Sequence, residues 1–80
     1  MKEKLCLRTV RRESGLSLEG VAQEAGISLT TEYLAEIGVA IDVEDARRIL
    51  TALSHVAGEQ FTLETVHIVL KNRGEKYIHT

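Results

Sequence analysis

Glycine falls singly at positions 15, 20, 26, 38, 58 and 74, and the chain has no proline. A residue that adopts positive φ without steric cost ends helices, so this spacing divides the chain into short helical pieces joined by tight turns. Leu5, Leu7 and Val10 ahead of Gly15 predict a first helix. Ser17 is the N-cap of a second, with Glu19 where the positive end of the helix dipole favours an acid. Val21, Ala22 and Ala25 supply its inner face, and Gly26 stops it. Ser28 caps a third helix with Tyr33, Leu34 and Ile37 as its apolar face and Gly38 as its stop. The fourth starts at the N-cap Asp42, with Asp45 in its first turn. Val43, Ala46, Ile49, Leu50, Leu53, Val56 and Ala57 then form one broad apolar stripe before Gly58.

Beyond Gly58 the pattern changes. Thr62 to Thr65 suits one capped turn, Val66 to Leu70 is β-branched and suits a strand, and Asn72-Arg73-Gly74 is a turn signal before Tyr77-Ile78. The expectation is a helix-turn-helix domain over 1–60 and a C-terminal extension over 61–80 that forms a short strand or hairpin. The extension carries much apolar surface, which either packs back over the helices or pairs with another chain as a dimerisation element.

Size and composition exclude several function classes. A chain of 80 residues buries only about 60% of the surface that its unfolded form exposes, which leaves no room for a layered enzyme with an internal cleft. The single cysteine, Cys6, rules out an intramolecular disulfide and a cysteine-rich zinc site. His55, His67 and His79 have no metal-ligand spacing, and no phosphate loop or nucleophile–base arrangement stands out. The expectation is therefore no enzyme, no metal and no cofactor. No apolar run reaches the length of about 18–20 residues that spans a bilayer, so the chain is expected to be soluble and cytoplasmic.

The helices from Ser17 to Ala25 and from about Thr30 to Ile37 are separated only by Gly26-Ile27-Ser28. That spacing suits a steeply crossed helix-turn-helix, flanked by helices that cover its apolar faces. The segment from Leu7 to Ser28, with Gly15-Leu16-Ser17 and Ala25-Gly26-Ile27-Ser28, resembles the lambda-repressor/Cro-like helix-turn-helix family. The resemblance continues through Tyr33-Leu34-Ala35-Glu36-Ile37 and through Asp42-Val43, Ala46, Ile49-Leu50 and Ala52-Leu53, so it spans roughly residues 5 to 57. Its best register places a short insertion near Leu29, with Tyr33, Leu34 and Ile37 in the core positions. The fold that it implies is all-α, a small lambda-repressor-like helical bundle.

The function implied by the resemblance is a small transcriptional regulator that binds double-stranded DNA, as a homodimer where sites are palindromic. The second helix of the pair would enter the major groove. Carried over by position, Ser17 starts the positioning helix, and Ser28, Thr30, Thr31, Glu32 and Tyr33 begin the reading helix. Arg8, Arg11 and Arg12 lie on the first helix, where they would touch phosphates. Each has an ordinary structural reading as well: the arginines as a solvated face, the threonines and Glu32 as an N-terminal helix turn, and Tyr33 as core.

The sequence also departs from the family. Leu18 stands where relatives usually carry Gln, and the reading helix offers Glu32 and Glu36 and closes with Ile37-Gly38 rather than with basic residues. No Lys or Arg occurs between Glu13 and Asp45, a stretch bounded by and containing Glu13, Glu19, Glu24, Glu32, Glu36, Asp42, Glu44 and Asp45. Phosphate neutralisation supplies much of DNA affinity, so this block works against binding. The rival expectation is a protein-interaction module, antitoxin-like or an adaptor subunit, on the same fold with DNA binding lost.

Overall fold

A computed structural model describes residues 3–71. The elements in chain order are β1 (Leu5–Cys6), α1 (Leu7–Glu13), α2 (Leu18–Ala25), α3 (Leu29–Glu36), α4 (Val43–Ala57) and β2 (Val66–His67). The protein is mostly helical, with one two-stranded parallel sheet in which Leu5 pairs with Val66 and Cys6 with His67.

Local chemistry sets the helix ends. The Ser17 hydroxyl accepts a hydrogen bond from the Gly20 N–H, and the Ser28 hydroxyl accepts one from the Thr31 N–H, so each serine satisfies a backbone donor that the helix cannot. Gly26 ends α2 at φ +71° and Gly58 ends α4 at φ +69°, a left-handed conformation that a side chain would strain. The Ser54 hydroxyl of α4 accepts from the Phe61 N–H at 2.9 Å, which folds the following segment back along the helix.

α4 is the central rod, and α2 packs on it most extensively. Its buried residues are Ala46, Ile49, Leu50, Ala52 and Leu53, and all of these but Ala52 meet Leu7, Val10, Val21, Ala35 and Ile41 in one core. The stripe predicted for α4 is therefore inward at its centre, whereas Val56 and Ala57 at its end are exposed.

Two expectations are corrected at the chain's ends. Leu5 does not belong to the first helix. It is exposed and lies in β1, because its N–H donates to the Thr65 carbonyl at 2.8 Å. The fold is accordingly not purely all-α. The strand expected over Val66 to Leu70 is confined to Val66–His67, and its partner is the N-terminal segment. Further along, the Ile41 N–H donates to the Val69 carbonyl and the Lys71 N–H to the Ile41 carbonyl, so this segment also straps the turn between α3 and α4. Val66 and Ile68 are buried in the core, with Phe61, Leu63 and Leu70 packed against it, so this part of the extension covers the bundle itself. The turn at Asn72-Arg73-Gly74 and the return strand at Tyr77-Ile78 lie outside the described residues.

Candidate functional site

The α2–turn–α3 unit sets the start of α2 beside the start of α3, where Leu18, Glu19, Leu29, Thr30 and Tyr33 share one groove. Ser28, Leu29 and Thr30 are exposed, as is Ser17 at the start of α2, and Thr31 is half-buried. The Ser28 and Thr31 hydroxyls lie 2.9 Å apart, so the opening turn of α3 is held by its own side chains.

The rotation of α3 about its axis differs from the expected one. Its buried residues are Glu32 and Ala35, whereas Tyr33 is 51% and Ile37 47% exposed. Of the apolar stripe assigned to the core, Leu34 packs against it, whereas Tyr33 and Ile37 face outward. Glu32 is fully buried and is removed from any surface that meets a partner.

Arg11 explains why α3 turns two carboxylates inward. Its Nε donates to Glu36 Oε2 and its Nη2 to Oε1 at 3.3 Å, while Nη1 donates to the Leu16 carbonyl at 2.9 Å. The Arg8 Nε lies 3.8 Å from the same Glu36 carboxylate. A bidentate, nearly dry guanidinium–carboxylate pair fixes both partners strongly in direction. With Glu36 held against α1, Glu32 one turn earlier must also point into the fold. Neither Glu32 oxygen has a hydrogen-bond partner among the described residues. Burial, and then the neighbouring Glu36 carboxylate, push the Glu32 carboxyl up to about 8, although Arg11 pulls it the other way.

Of the three expected phosphate-contacting arginines, Arg11 is consumed by this internal network. Arg8 is half-exposed at its side chain, and Arg12 is exposed in the last turn of α1. A signal for the network exists in the sequence, since acids four apart on α3 face arginines three apart on α1, but nothing local says that they meet.

Between the starts of α2 and α3 lies an open groove of about 310 Å³ lined by Leu18, Glu19, Leu29, Thr30 and Tyr33. Ile37 continues the stripe, because Leu29, Tyr33 and Ile37 are spaced four apart on α3. The outer face of α3 is therefore apolar and hydroxylic, with neither acid nor base on it.

Cys6 is exposed, and the backbone N–H groups of Thr9 and Arg8 hold its thiol below the usual range. Among the described residues no cluster of His, Cys, Asp and Glu is suited to a metal ion, and no helix is long and apolar enough to cross a membrane. Comparison of the chain with protein-family models, curated proteins and solved structures returns no match.

Proposed function

We propose that the protein is a small DNA-binding regulator of the lambda-repressor/Cro-like kind, which lays α3 in the major groove of a duplex. The observation that carries this reading is the presentation of α3. Its leading turn is outward, while Glu32 and Glu36, which would repel phosphates, are turned inside. The acidic character of the sequence between Glu13 and Asp45 thus overstates the charge on the reading face. Ser17 marks the start of α2, and the positive end of a helix suits a phosphate oxygen. Arg8 and Arg12 are the cations left for the backbone on α1, and two copies related by a two-fold axis would read a palindromic site.

A second reading has its own support. The apolar groove formed by Leu18, Leu29 and Tyr33 has no cation beside it, and this suits a protein partner that covers it. Titration against a pool of random duplexes at low and moderate salt separates the two. DNA binding is expected at low salt and weakens steeply as salt rises, because each neutralised phosphate releases counterions. No binding at low salt overturns the first reading and leaves the second.

A further inference from the structure

We propose that the groove between α2 and α3 reads A·T base pairs through the thymine methyl group. This rests on the DNA-binding reading above and names the bases that the same surface selects. In the major groove, guanine offers two acceptors, O6 and N7, that are met by Arg or Lys, whereas thymine offers a methyl group and adenine an amino donor. The groove contains no cation, and its one charged lining residue is Glu19. A carboxylate is repelled by the guanine acceptors and accepts a hydrogen bond from the amino group of adenine or of cytosine, so the choice of A·T falls to the apolar part of the lining.

The remaining lining matches the other half of an A·T pair. Leu18, Leu29 and Tyr33 form an apolar wall against which a methyl group loses its contact with water, and the Thr30 hydroxyl can donate to O4 or accept from N6. Spacing extends the match. Residues four apart on a helix rise by about 6 Å, and successive bases on one strand are about 3.4 Å apart. Leu29 and Tyr33 in the groove, with Ile37 one turn beyond it, would therefore meet methyl groups about two base pairs apart. An apolar reading face is a defect for gripping phosphates and a fitting one for methyl groups.

Duplexes selected from a random pool at low salt, then resynthesised with deoxyuridine for thymidine, test this directly. The selected pool is expected to be rich in A·T, and each contacted methyl that is removed should weaken binding about four-fold. The Leu29→Ala variant should bring the thymine-to-uracil ratio toward one while retaining the helical circular dichroism of the parent, since Leu29 is 45% exposed. Equal binding of thymine and uracil duplexes overturns the inference and leaves the DNA-binding reading standing. Absence of binding to any duplex at low salt overturns both and favours a protein occupant.

Discussion

Glu32 makes the stability of this fold fall as the solution becomes more alkaline. Its carboxyl is fully buried, and its pKa is raised from 4.5 to about 8 by burial and by Glu36. The folded protein therefore holds a proton that the unfolded chain releases. The contribution is complete below about pH 4.5, declines as pH rises, and is gone once the pH passes about 8. Within that window each pH unit removes up to about 1.4 kcal/mol, so moving from mildly acidic to mildly alkaline buffer costs on the order of 3 kcal/mol. For a small domain whose whole stability is about 5–15 kcal/mol or less, that is a large fraction. Urea midpoints at several pH values between 5 and 8 measure it. The wild-type midpoint should fall steadily, and Glu32→Gln, which keeps the shape but carries no proton to lose, should flatten the profile. A level wild-type profile, or an equal slope in Glu32→Gln, would refute the reasoning.

Three further outcomes follow from the same contacts. Glu36→Ala leaves Arg11 without its buried partner and is expected to destabilise the protein by about 3 kcal/mol, read as a lower urea midpoint. Ser17→Ala and Ser28→Ala each remove one N-cap acceptor and should cost about 1 kcal/mol, with nearly additive effects in the double variant measured by thermal melting. Leu53→Ala opens a cavity at a fully buried position on α4, and should lower stability by about 2–5 kcal/mol by the same assay.

What could be seen in the sequence was local. The caps at Ser17 and Ser28 and the left-handed stops at Gly26 and Gly58 depend on residues within one turn, and all four lie where the pattern puts them. The centre of α4 was equally plain, because Ile49, Leu50 and Leu53 repeat at helical spacing over a long helix. The face of α3 was not. An apolar pattern assigned Tyr33 and Ile37 to the interior, yet the helix is turned by an ion pair between Glu36 and Arg11, which are 25 residues apart. Two inward carboxylates contradict the rule that apolar residues face the core, and only knowledge of the arginine opposite reverses it. The strand at Val66–His67 was visible as β-branched sequence, but its partner was not, since Leu5–Cys6 looked like the lead-in to a helix.

The pairing of Leu5 with Val66 also sets an order of events. All four helices lie between Leu5 and the residue that pairs with it. The seam therefore joins parts of the chain far apart in sequence, and its closure costs more chain entropy than the contacts between neighbouring helices. A two-residue ladder with so little of its own to hold it is the first place to open. The amides of Leu5 and Ile41 should exchange with deuterium sooner than those in the middle of α4.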